Sequence, residues 1–107
     1  MKKTIIGLAM LSCLLAHAEF KSGNKLYDQM RGTPGEQMLA LGYITGVIDT
    51  LQGATICAPE TLTAGQAVDM TKKYLEEYPA VRHMSADVIV NRVMSLVWPC
   101  AKKGGGA

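Results

Sequence analysis

Apolar positions along this chain recur at helical rather than strand spacing, and they predict four helices with no alternating strand pattern between them. The first is short, Lys25-Leu26-Tyr27-Asp28-Gln29-Met30, with Ser22 or Asn24 placed to cap it. Gly32-Thr33-Pro34-Gly35 reads as a turn in which Thr33 is an N-cap and Pro34 the first helical residue of the next element. That second helix runs from about Glu36 to Gln52, and Gly53 is placed to stop it. Residues 54–62 form a loop carrying Cys57 and Pro59. Thr63-Ala64-Gly65-Gln66 matches a capping box and opens a third helix, which Pro79 ends. After Ala80-Val81-Arg82-His83-Met84, Ser85 caps a fourth helix that closes at Trp98-Pro99-Cys100.

The faces of these helices differ. In the third, Asp69–Lys73, Lys72–Glu76 and Lys73–Glu77 are i,i+4 charge pairs on a solvent face, while Val68, Leu75 and Tyr78 turn inward. The fourth presents Val88, Ile89, Val93, Leu96 and Val97. The second is apolar around much of its circumference, through Met38, Leu39, Leu41, Tyr43, Ile44, Val47, Ile48 and Leu51, so it is expected to be covered on more than one side. Gly42 and Gly46 lie on one face of it, and each costs the helix roughly 1 kcal/mol relative to alanine. Small residues at i and i+4 let another backbone approach closely. The neighbour is either another helix of the same chain, the preferred reading, or a second protomer; Asp49 argues against a membrane span.

Composition changes the picture at the N-terminus. Lys2 and Lys3 precede an apolar run from Thr4 to Leu15, and Ala16-His17-Ala18 supplies an A-x-A site, so residues 1–18 read as a secretory signal peptide. Cys13 follows a poor lipobox, and the run is too short for a retained membrane anchor. The domain is then residues 19–101, followed by a Gly-rich flexible tail at 102–107. The chain has 11 Lys and Arg against 9 Asp and Glu. Lys2 and Lys3 account for the excess, so the mature chain is neutral and has no basic stripe for nucleic acid. It keeps Cys57 and Cys100, an even count that an oxidising periplasm would join. The fold expected is all-α, a small bundle of about four helices stapled by one disulfide worth ~4 kcal/mol by the chain-entropy argument.

The chemistry is sparse. His83 is the only histidine after the leader, and a disulfide would consume both cysteines, leaving no Cys/His nucleophile pair. No metal-ligand spacing and no phosphate-cradling glycine loop appears, so no metal or cofactor is expected. The pattern is that of a binding domain, not an enzyme.

The stretches "SGNKLYDQM", "GYITGVIDT", "ICAPETLTAGQAVDMTKKYLEEYPAVRH" and "VWPC" resemble the Rap/Tai family of type VI secretion immunity proteins across the whole mature chain. The resemblance implies a small, exported helical protein that binds and blocks papain-like peptidoglycan amidases in the periplasm, and it allows a homodimer. Relatives of this kind often carry a second cysteine pair, where this chain has Met30 and Ala40. The first two helices must then hold by packing alone, and the first is expected to be the least stable.

In such proteins a protruding loop enters the effector's cleft. Residues 79–85, "PAVRHMS", are the favoured loop: Arg82 and His83 are donors suited to a polar cleft, Pro79 stiffens the start and Ser85 closes it. Lys72, Lys73, Glu76 and Glu77 would flank it. The bland alternative is that Arg82 and His83 simply lead into the fourth helix, with His83 satisfied by a helix-end carbonyl. The disulfide-tethered loop 54–62, with Glu60, ranks second. A competing function is that of an Hde-type acid chaperone, to which Met30, Met38, Met70, Met84 and Met94 would lend adaptable apolar surface.

Overall fold

Helix starts in this chain are fixed by side-chain caps of the kind the sequence announces. In the computed structural model, which describes residues 20–101, Ser22 rather than Asn24 caps α1 (Gly23–Met30), its hydroxyl accepting from the Lys25 amide at 3.2 Å. Thr33 and Glu36 form a reciprocal capping box on α2 (Pro34–Leu51), and Thr63 and Gln66 do the same on α3 (Ala64–Glu77). Each box satisfies amides that a helix start otherwise leaves unpaired. A 3₁₀ turn, Pro79–Val81, leads towards α4 (Ala86–Val97). The expected leader at 1–18 and tail at 102–107 lie outside the described residues.

The start of α4 departs from expectation. Ser85 occupies the N-cap position, but its hydroxyl donates to the Asp87 carboxylate instead of accepting from the backbone. The amide of Ala86 is satisfied from elsewhere in the chain, by the Lys21 carbonyl at 2.9 Å. At the other end of α2, Gly53 adopts φ +86°, the left-handed conformation that glycine enters without a Cβ penalty.

The core is built from Leu26, Ile44, Ile56, Leu75, Ile89, Val90 and Met94, all fully buried. On α4 the inward stripe is Ala86, Ile89, Val90, Val93 and Met94, at i, i+3, i+4, i+7 and i+8. Val88 and Leu96 fall off that stripe and are exposed, contrary to the apolar face expected for them; Val97 continues it only into the last turn and is half exposed. Tyr78, expected to turn inward, is also exposed, because it is the C-cap of α3 and packs instead against Tyr74, the rings tilted by 42° with centroids 4.8 Å apart.

Helix α2 touches α1, α3 and α4, as its apolar circumference requires. Yet among the described residues the close backbone approach expected within the chain at Gly42 and Gly46 is absent: a Cβ built on either would meet none of them within 4 Å. Met38 and Leu39, on the adjoining turn, are exposed as well. The glycines open outward.

Cys57 and Cys100 form the expected disulfide, closing a sequence separation of 43 and tying the loop after α2 to the end of α4. The Cys57 amide also donates to the Trp98 carbonyl at 2.9 Å, and Ile56 pairs with Pro99. Gln52 clasps the same loop, donating from Nε2 to the Ala58 carbonyl and accepting from its amide. Met30 and Ala40, at the positions of the missing second pair, are both buried. Packing is not all that holds α1, however, since its first residues hydrogen-bond to the segment before α4.

Candidate functional site

Residues 79–85 form a knuckle of overlapping turns. The amides of Val81, Arg82 and Met84 donate in succession to the carbonyls of Tyr78, Pro79 and Val81. Pro79 suits this start because its ring presets φ for the turn and no amide is lost from a helix interior. Pro79, Ala80, His83 and Ser85 are exposed.

The side chains divide into inward and outward groups. Arg82 is half-buried: its Nε–H donates to the Leu75 carbonyl at 2.6 Å, and its guanidinium lies 4.2 Å from the centre of the Tyr27 ring. Arg31 covers the same ring at 4.1 Å and is held by Asp28 at 2.9 Å. The Tyr27 hydroxyl reaches Glu76 at 3.4 Å. Tyr27 is therefore contacted by two cations and a carboxylate, each stacked cation contributing about 0.5–2 kcal/mol depending on its desolvation.

His83 faces out. Its Nδ1 lies 2.8 Å from the Ala80 carbonyl. A carbonyl only accepts, so Nδ1 carries the hydrogen and Nε2 of the neutral ring is an acceptor. This matches the bland alternative in part, since a local carbonyl does satisfy one ring nitrogen, while the other has no hydrogen-bond partner among the described residues.

The structure thus brings Arg82 and Glu76 together around Tyr27, with Pro79, His83 and Ser85 on the adjoining loop. Lys73 and Glu77 form an exposed pair at 4.0 Å, a contact of little energetic weight, while Lys72 is half-buried on the same helix. Glu60 belongs to a different place, lining a depression with Ile48, Asp49, Gln52 and Leu62. Tyr27 and Arg31 were not among the expected site residues. Tyr27 carried one signal in the sequence, membership of the "SGNKLYDQM" stretch, and Arg31, the residue after it, carried none; nothing in their spacing relates them to Arg82, more than fifty residues away.

A second surface lies along α2. Gly42, Tyr43, Gly46, Val47, Thr50, Leu51 and Asp87 line a shallow groove of about 500 Å³. Tyr43 sits under the Lys21 ammonium, 4.8 Å from the ring centre. Burial, and then the Asp87 charge, push the Tyr43 hydroxyl above its ordinary pKa. Lys21 is pushed down by burial and then by Lys25. Among the described residues no group of His, Cys, Asp and Glu could hold a metal, and no helix is long and apolar enough to cross a membrane. Both described cysteines are spent in the disulfide.

Comparison with protein families matches residues 22–100 to the Rap1a immunity proteins. No curated protein matches the chain.

Proposed function

The chain belongs to the Rap1a immunity proteins, and from that premise we propose that it is a periplasmic immunity protein that neutralises a type VI secretion effector. The effector is a peptidoglycan amidase of the papain-like kind, and inhibition is by occlusion: the knuckle 79–85 enters the catalytic cleft and keeps substrate from the nucleophile. The observation that carries this reading is the loop itself, exposed at Pro79, His83 and Ser85 yet hydrogen-bonded turn upon turn. A pre-ordered loop loses little entropy on insertion, which favours tight binding. Arg82, inward on Tyr27, supports the loop from behind; His83 meets the effector. Lys72, Lys73 and Glu76 flank it, and Glu60 belongs to a secondary contact. Export is supported by the Lys2-Lys3 leader pattern in the sequence and by the disulfide, a bond that persists in oxidising compartments.

The open face at Gly42 and Gly46, with Met38 and Leu39 exposed beside it, is proposed as a homodimer seam.

The test is to tag the mature domain in its native host and purify it from the envelope at neutral pH. One folded peptidoglycan hydrolase in stoichiometric amount is the expected co-eluting partner. A diffuse set of clients, captured only after acidification, would sink the immunity reading in favour of an acid chaperone.

A further inference from the structure

We propose that residues 21–24 are a strap that holds loop 79–85 in shape, and that Gly23 is the positioning residue on which the strap closes. What the rigidity serves rests on the reading of 79–85 as the effector-facing loop; the strap itself stands on backbone geometry.

The two segments run antiparallel. The Gly23 amide donates to the Met84 carbonyl at 2.8 Å, the Asn24 amide to the Arg82 carbonyl at 2.7 Å, and the Ala86 amide returns to the Lys21 carbonyl at 2.9 Å. Ser22 pairs with Ser85 between them. These are the first amides of α1 and of α4, so each helix start is satisfied by the other's approach segment. The strap is anchored at its outer end, where the Lys21 ammonium bonds the Gln29 side chain and lies over Tyr43.

The approach leaves no room for a side chain at Gly23. A Cβ there would lie 2.5 Å from Ile89 Cδ1, 2.8 Å from the Arg82 carbonyl oxygen and 3.1 Å from Arg82 Cα. The Ile89 methyl could rotate away, but the Arg82 backbone could move only by opening the strap. At Gly42, Gly46 and Gly65, by contrast, a Cβ meets nothing among the described residues. Arg82 is thus gripped twice: its carbonyl by Asn24, and its guanidinium by Leu75 and Tyr27.

The test is amide hydrogen exchange, read by NMR on the mature chain as wild type, Gly23→Ala and Gly42→Ala. In Gly23→Ala, exchange at Ala86 and Asn24 should rise about tenfold or more while the core amide of Val90 stays as in wild type. Gly42→Ala should leave all three unchanged. Should Gly23→Ala not fold, Asn24→Pro removes the second strap donor within the first turn, where a helix tolerates proline, and is read at Ala86 against Val90. Unchanged exchange at Ala86 overturns the strap. Recovery of wild-type exchange when Ile89→Val is added to Gly23→Ala overturns Gly23 as the positioning residue, because the obstacle is then a side chain and not the Arg82 backbone.

Binding to the hydrolase recovered in the co-purification separates the strap from its purpose. Faster exchange with binding weakened about tenfold or more supports both. Faster exchange with unchanged binding supports the strap and removes 79–85 as the inhibitory loop.

Discussion

Arg82 donates from Nε to the carbonyl of Leu75 at 2.6 Å, so the most basic side chain of the exposed loop is turned back onto the end of α3. The adjacent His83 points the other way, with one ring nitrogen engaged at Ala80. Neighbours in sequence therefore do different work.

Single substitutions should separate the two roles. Arg82→Ala removes a charged hydrogen bond and a stacked cation, and should cost roughly 1.5–3 kcal/mol in urea unfolding. His83→Ala should stay within about 0.5 kcal/mol of wild type, as an exposed substitution does. Titration calorimetry against the co-purified hydrolase should show His83→Ala weakening binding with the fold intact. Equal loss of stability in both variants would contradict the division.

Replacing Gly42 or Gly46 by alanine should stabilise the isolated protomer by about 0.5–1 kcal/mol each. Both sit in a helix interior, and among the described residues the new methyl meets open space. Thermal unfolding at low concentration measures this. If the glycine face is a dimer seam, the same variants should raise the dimer dissociation constant in sedimentation equilibrium. A lower melting temperature at concentrations where the chain is monomeric would show that α2 needs its glycines for some other reason.

Cys57→Ser opens the covalent loop between the end of α2 and the end of α4. The expected loss is about 2–5 kcal/mol under oxidising conditions, and about 4–8 °C in Tm for each kcal/mol in a domain of this size. Wild type in strong reductant should melt close to the variant. The Gln52 clasp on Ala58 persists without the bond, so the loop should loosen without the helices separating.

Alkaline stability should carry the mark of Tyr43. Its hydroxyl pKa is raised above the ordinary 10.0, so the folded state resists forming the tyrosinate. Its contribution is neutral below pH 10 and becomes increasingly destabilising as pH rises from there through the folded pKa. Lys21 acts with opposite sign: its pKa lies below 10.5, so the folded state gives up the proton first and that penalty fades as pH rises. Tyr43→Phe should therefore lose less stability than wild type between pH 10 and 11 in urea titrations. Parallel curves for the two proteins would rule out Tyr43 as the cause.

Much of the fold was legible because its signals are local. A threonine three residues before a glutamate or glutamine caps a helix through atoms within one turn, and both boxes appear where Thr33 and Thr63 place them. The inward residues of α4 were harder, since Val88 and Val90 are chemically alike and only the phase of the stripe distinguishes them. The loop 79–85 was readable as a loop from Pro79 and Ser85. What its side chains touch was not, because Tyr27 comes from the first helix and Glu76 from the third.

Residue type and short spacing were enough to set the number of helices, the caps at Thr33 and Thr63 and the Cys57–Cys100 pair. Tertiary structure decided the rest. It turned Arg82 inward, faced Gly42 and Gly46 to the outside, and satisfied the first amide of α4 from Lys21. Each of these depends on which distant segment arrives alongside, and a backbone amide or an arginine can be satisfied by any acceptor that packing delivers.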